Sequence, residues 1–324
     1  MARYVHSVIP IDDAGPMTSL AAGMAEPQPR ALIVTIYGLY GRDSAGWLPV
    51  AGLVRMLAEV DVDEPAVRSA ISRLKRRGLV EAERRDGIAG YVLSAGARAI
   101  LDEGEEVIFA PPMPRLSDGW LLAVFSVPET ERAQRHQLRS KLLGLGFGSA
   151  APGVWIAPAH RHALTAATLQ RDGLAAYVDL FRAEYLAFGD IRKHARDWWD
   201  LDELGADYRA FIRAHTSATR TGAPFAAWVR SLTAWRRLPY RDPNLPDELL
   251  PAGWPGGPAR TLLADLRATL AAPAAEHALR LVGSRPGSVG STGWPEIAPA
   301  PHPALRPSAT APTVPAGSRR TGRA

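Results

Sequence analysis

Between Glu64 and Leu93 the spacing of apolar residues changes from a helical period to a strand period. Val67, Ala70, Ile71 and Leu74 recur at the i, i+3, i+4, i+7 interval that gathers side chains on one helix face. At 100° per residue, Arg68, Ser69, Ser72, Arg73 and Arg76 fall opposite them, with Lys75 and Arg77 on the flanks. Gly78 follows this basic last turn, where glycine takes the left-handed backbone and cations suit the helix dipole. Two short runs follow, Leu79–Arg85 and Gly90–Leu93, joined through Asp86-Gly87, a dipeptide of tight hairpins. A helix, a glycine and a basic-tipped hairpin outline a recognition helix with its wing.

The same patterning places the elements around it. Residues 1–28 lack sustained periodicity and are interrupted by Pro10, Gly15, Pro16, Gly23 and Pro27, which predicts a mobile leader. Pro29 suits a first helical turn, and Leu32, Ile36, Leu39 and Tyr40 form a stripe that Gly41 ends. Trp47-Leu48-Pro49 reads as an extended link into a second helix, Val50 to about Glu59. Asp61 or Asp63 then caps the basic helix, and Ser94 caps a further one from Ala95 to about Glu106. Residues 29–110 are therefore expected to form a winged helix-turn-helix domain, followed by a semi-rigid link at Pro111, Pro112 and Pro114.

Trp120–Val127 is an unbroken apolar run of strand length, and Thr130–Leu145 a basic amphipathic helix with Leu138, Leu142 and Leu145 inward. Phe147-Gly148 and Gly153–Ala157 give two short strands, His160–Arg171 a helix, and Ala176–Phe188 a last strand. That β-α-β-β-α-β order predicts a ferredoxin-like domain over residues 117–190. Residues 191–282 read as a helical domain rich in aromatics, with an ordered proline-rich loop at Leu238–Pro258 and a helix from about Ala259 to Leu270. From 283 to 324 the chain is Pro, Gly, Ser and Ala, too poor in large apolar groups to order itself. The fold class is thus α+β, in three folded parts.

Charge and composition narrow the chemistry. With 324 residues, 47% hydrophobic and 22% charged, the chain has enough apolar material for two or three cores. A net charge of +5 and a pI of about 9.7 suit a polyanionic partner. No acid occurs between Pro65 and Val80 to pair the arginines of the basic helix, and Arg84 and Arg85 continue the charge beside the hairpin tip. Such a surface attracts phosphates, and arginine also fits guanine edges in the major groove. The predicted DNA contacts are therefore Arg68, Ser69, Ser72, Arg73, Lys75, Arg76, Arg77, Arg84 and Arg85. The absence of cysteine excludes disulfides and thiolate chemistry, and no run is long and apolar enough for a membrane span. A cytoplasmic protein without membrane contact is expected.

Several stretches together resemble the PaaX family of phenylacetate-degradation repressors. They are PRALIVTIYGLYG (29–41), VRSAISRLKRRGLV (67–80), Trp120–Pro158, WWDLDEL (198–204) and RDPNLPDELLPAGWPG (241–256). The resemblance implies a homodimeric regulator with a winged-helix head, a ferredoxin-like (Cas2-like) middle domain and a helical C-terminal domain. It further implies an inverted-repeat operator in double-stranded DNA and release by an aryl- or acyl-CoA thioester. Phosphates of such an effector need cations, and Arg192, Lys193, His194 and Arg196 beside Trp198 and Trp199 form the candidate ligand site.

The rival reading is a metal-dependent enzyme that processes nucleic acid. The middle domain is similar in fold to the Cas2 nucleases, which place an acidic metal ligand at the end of the first strand. Here Ser126 stands near that position, and Glu129 is expected to charge the next helix start instead. His160 and His162 point roughly 200° apart on a helix and do not share a metal. No GxxxxGK[ST] phosphate loop or GxSxG elbow occurs. No catalytic residue, cofactor or metal is assigned.

Overall fold

The computed structural model describes residues 28–111, 113–186, 188–220 and 222–283. The expected leader, tail and Pro112 lie outside these. Pro29 opens α1 (Pro29–Ile36), which runs into a π-helical turn at Tyr37–Gly41. Trp47–Pro49 is more than a link: it is β1, followed by α2 (Val50–Ala58) and α3 (Glu64–Arg76). A hairpin, β2 (Val80–Arg85) and β3 (Ile88–Leu93), leads to α4 (Ala95–Phe109). The three strands form an antiparallel sheet in the order β1-β3-β2, which fits the winged helix-turn-helix outline.

The middle segment is β4 (Trp120–Phe125), α5 (Arg132–Gly144), β5 (Gly148–Ala151), β6 (Val154–Pro158), α6 (His162–Arg171) and β7 (Val178–Ala183). Its antiparallel order β5-β6-β4-β7 is the ferredoxin-like arrangement the element sequence predicts. One face packs on α5 and α6 through Leu121, Ala123, Leu138, Leu142 and Trp155. The other carries Trp120 and Ile156 against Ala195, Trp199 and Leu245 of the C-terminal segment. Inside, Lys141 and Asp172 form a buried ion pair at 2.5 Å, tying α5 to the end of α6.

The C-terminal segment is helical: α7 (Ile191–Trp198), α8 (Leu201–His215), α9 (Pro224–Trp235), α10 (Leu238–Arg241) and α11 (Gly256–Gly283). Helix α11 continues past the expected end at Leu270, carrying Pro273 inside it. Ala274 and Ala278 beyond the proline are buried, so packing outweighs the missing backbone bond.

The head and the C-terminal helices share one core. Leu32, Ile36, Leu53 and Ile71 belong to the same apolar cluster as Trp228, Leu232, Trp235 and Leu266. This explains why Ala31 through Ile36 are buried on every side of α1 instead of along a stripe. Thr35 accepts or shares hydrogen bonds with Thr233 Oγ1 at 2.8 Å and Arg236 Nε at 3.1 Å, and Arg236 is itself buried. Trp235 donates Nε1 to the Ile108 carbonyl at 2.9 Å.

Candidate nucleic-acid interface

Helix α3 begins where Asp63 accepts a hydrogen bond from the Ala66 amide at 2.8 Å. Asp61, the other expected cap, instead receives Arg230 Nη2 of α9 at 2.6 Å, and the same guanidinium donates to the Val60 carbonyl at 2.8 Å. The turn between α2 and α3 is thus pinned from the C-terminal segment, with Asp61 in the left-handed region at φ 61°. Nothing in the head's own sequence signals this contact. Val67, Ala70, Ile71 and Leu74 are buried, as the period requires, and hold α3 by one face. Gly78 closes the helix at φ 69°.

The outer face then presents Arg68, Ser69, Ser72, Arg73, Lys75, Arg76 and Arg77, all exposed. They do not stand alike. Arg68 is paired with Glu64 one turn earlier, Nε to Oε1 at 2.8 Å, an acid just outside the acid-free stretch. Ser69, Ser72, Arg73, Lys75 and Arg76 have side chains with no internal partner among the described residues. Helix α3 therefore offers a rigid arc of hydroxyls and cations whose hydrogen-bonding capacity is turned outward.

The wing is only partly as expected. Asp86 and Gly87 at its tip take φ values of 51° and 78°, the left-handed pair of a type I′ turn. Arg84 is exposed and donates Nη1 to the Gly87 carbonyl at 3.0 Å. Arg85 faces inward: Nε bonds Glu83 at 2.6 Å, Nη1 bonds the Ser44 carbonyl at 2.8 Å, and the guanidinium lies 5.3 Å from the Trp47 ring centre. Trp47 rests on Gly90, where any Cβ would come within 2.3 Å of its ring, and its Nε1 donates to Glu83 O at 3.3 Å. Arg85 braces the wing against β1. Sequence reading misses Trp47, which pairs with Val92 across the ladder and lays its ring diagonally over the hairpin glycine Gly90.

The second predicted cluster is also divided. Asp190 caps α7, accepting from the Arg192 amide at 2.9 Å, and Arg192 Nε donates to the Glu248 carbonyl at 2.7 Å. His194 stacks on Trp198 with ring centres 5.5 Å apart. Trp199 is buried, stacked on Trp120 at 6.1 Å, and its Nε1 donates to Gly146 O at 2.9 Å. Lys193 and Arg196 remain exposed on the helix. The two tryptophans are packed as a joint between middle and C-terminal segments.

At the end of β4, Ser126 is exposed and Glu129 is held by Arg132 Nε at 2.6 Å and Arg135 Nη1 at 2.9 Å. Those hydrogen bonds, first Arg132 and then Arg135, keep its carboxyl below the usual range. Among the described residues no three His, Cys, Asp or Glu side chains are grouped to hold a metal. Both ring nitrogens of His160 are buried without partners, and burial brings its pKa down to about 4, with Arg161 adding to the shift. No described helix is long and apolar enough to cross a membrane.

Three family models match the chain in sequence order. They are "PaaX-like protein" over residues 28–97, "PaaX protein central Cas2-like domain" over 114–195, and "PaaX-like protein C-terminal domain" over 199–280. The chain is 28% identical over 245 residues to the "Transcriptional repressor PaaX" of Escherichia coli (strain K12), covering 72% of this chain and 77% of that protein. Among solved structures it is similar to "Uncharacterized protein Rv0674 from Mycobacterium tuberculosis". That match has 26% identity and a TM-score of 0.51, covering 76% of this chain and 98% of that one. With all three of its segments matched in order, on the fold described, this chain belongs to the PaaX family.

Proposed function

We propose that this protein is a DNA-binding transcriptional repressor of aromatic-acid catabolism genes, released from its operator by an aryl- or acyl-CoA thioester. The observation that carries the reading is the outer arc of α3, where Ser69, Ser72, Arg73 and Arg76 point away from a helix fixed by its opposite face. Seated in a major groove, that arc presents bidentate guanidinium donors and adaptable hydroxyls to base edges. Lys75 and Arg84 flank it and suit phosphates, whose neutralisation supplies salt-dependent affinity. The relative named a transcriptional repressor supports the same reading.

A homodimer sets two such helices on an inverted repeat with half-sites one or more helical turns apart. For release, the effector must bind the DNA-incompetent arrangement more tightly than the competent one. The core common to head and C-terminal helices gives such a change a route to α3. A gel-shift on the promoter of the protein's own operon, with magnesium or manganese in parallel lanes, tests the proposal. A retarded band with intact DNA, dispersed by the CoA thioester, is expected. Cleaved DNA, or no retardation at moderate salt, overturns it.

A further inference from the structure

Away from the winged helix, a cleft of about 510 Å³ opens on the middle segment between the end of β4, the β5–β6 turn and α5. Its volume lies within the range of ordinary small-molecule sites. The rings of Phe125 and Trp155 line it, and Trp155 is buried while Phe125 is half-buried. Ser126 and Ser149 add exposed hydroxyls at its mouth. Arg135 and Arg139, one helical turn apart on α5, supply its cations, and no carboxylate is among its lining groups.

The two arginines differ in a useful way. Arg135 is fixed, with Nη2 on the Val127 carbonyl at 2.7 Å and Nη1 on Glu129 at 2.9 Å. Glu129 is in turn shared with Arg132, so this corner remains cationic overall. Arg139 is exposed and has no internal hydrogen bond or ion pair among the described residues. A pre-positioned guanidinium beside an unengaged one, in a cleft that Phe125 also lines, matches a ligand with an apolar group and neighbouring oxyanions.

We infer that this cleft is the effector site, taking the apolar acyl or aryl part against the half-buried Phe125 and its oxyanions on Arg135 and Arg139. The inference rests on the effector-released reading above and locates the ligand away from the α7 cluster. An aryl carboxylate and an aryl-CoA thioester share this chemistry, and they differ in how far the charge lies from the ring.

Calorimetric titration of the full chain with phenylacetate, with CoA and with phenylacetyl-CoA distinguishes those sources and needs no DNA. Saturable binding of phenylacetate or of the thioester is expected. Arg139→Glu should weaken it at least tenfold, Arg139→Lys by less, and Lys193→Glu on α7 should leave it unchanged. Because Arg139 is a surface residue, unaltered melting of its variants separates lost binding from lost folding. Binding of none of the three, binding of CoA alone with equal strength to the thioester, or equal affinity in Arg139→Glu overturns the assignment. Operator retardation measured separately keeps the outcomes apart. A native chain that binds operator and is released by a ligand indifferent to Arg139 loses the cleft and keeps the repressor.

Discussion

Replacing Trp235 with alanine asks whether the N-terminal head depends on the C-terminal helices for its stability. Trp235 is 1% exposed, meets Tyr208 and Phe211 at ring distances of 6.0 and 5.3 Å, and bonds the Ile108 carbonyl of α4. Truncation of a buried tryptophan costs about 3–5 kcal/mol, and here it also removes the part-buried hydrogen bond to Ile108. Against a domain stability of about 5–15 kcal/mol, that is a large share. Leu138→Ala is the matched control: Leu138 is fully buried in the separate core under the middle sheet, with an expected cost of about 2–5 kcal/mol. Native-state hydrogen exchange reads each segment. If one core serves head and helices, amides of α3 and the β2–β3 hairpin exchange at least about a hundredfold faster in Trp235→Ala, following about 1.4 kcal/mol per tenfold. In Leu138→Ala the middle sheet should loosen first. Wild-type protection of α3 in Trp235→Ala, with α9 amides exposed, would refute the shared core.

Gly90→Ala should displace Trp47 and unseat Arg85, costing about 1–3 kcal/mol by overpacking and weakening binding to every duplex alike; a native melting temperature would show that the ring is not locked there. Arg84→Ala should lower the slope of log affinity against log salt by about 1 with little change in sequence preference, whereas an unchanged slope removes Arg84 from the phosphate contacts. Thr35→Val leaves the buried Arg236 Nε without its hydroxyl acceptor and should cost about 1–3 kcal/mol in urea unfolding, against a negligible cost if that hydroxyl is idle. Burial brings His160 and His215 down to about 4, so both are neutral when folded while the unfolded chain takes up protons near 6.5. Their contribution to stability is therefore complete above about pH 6.5 and is lost as pH falls toward 4, and His160→Leu should lose less stability over that window than the native chain. Equal losses in the two proteins would remove His160 from the acid response.

The parts of the fold that sequence shows clearly are those with local signals. The α3 stripe, its glycine stop and the Asp86-Gly87 turn are each fixed by a few neighbouring residues. The β-α-β-β-α-β order is likewise written in runs of strand and helix length. What escaped is long-range. Ile33 and Val34 lie off the expected α1 stripe, and only the presence of α9 across the chain explains their burial. The extension of α11 beyond Pro273 depends on partners for Ala274 and Ala278. Within the candidate interface, the exposed arc of α3 was legible because helix geometry alone turns it outward. Arg85 was not, since its strand position says nothing of Ser44 or Trp47. The link at Pro111 and Pro114 was expected to be semi-rigid, and a stiff link is one path between head and middle segment. With head and C-terminal helices joined through α1 and α9, a packed route exists beside it.

The central claim is that α3 reads base sequence, and a paired titration tests it most directly. Fluorescence anisotropy compares the protein's own operator with a scrambled duplex of equal length and composition, at one fixed salt concentration, for the native chain and Arg73→Ala. A bidentate base contact predicts that Arg73→Ala loses about 1–3 kcal/mol on the operator, or roughly five- to 150-fold, and much less on the scrambled duplex. Equal losses on the two duplexes, or none on either, would contradict the assignment of α3 as the reading helix.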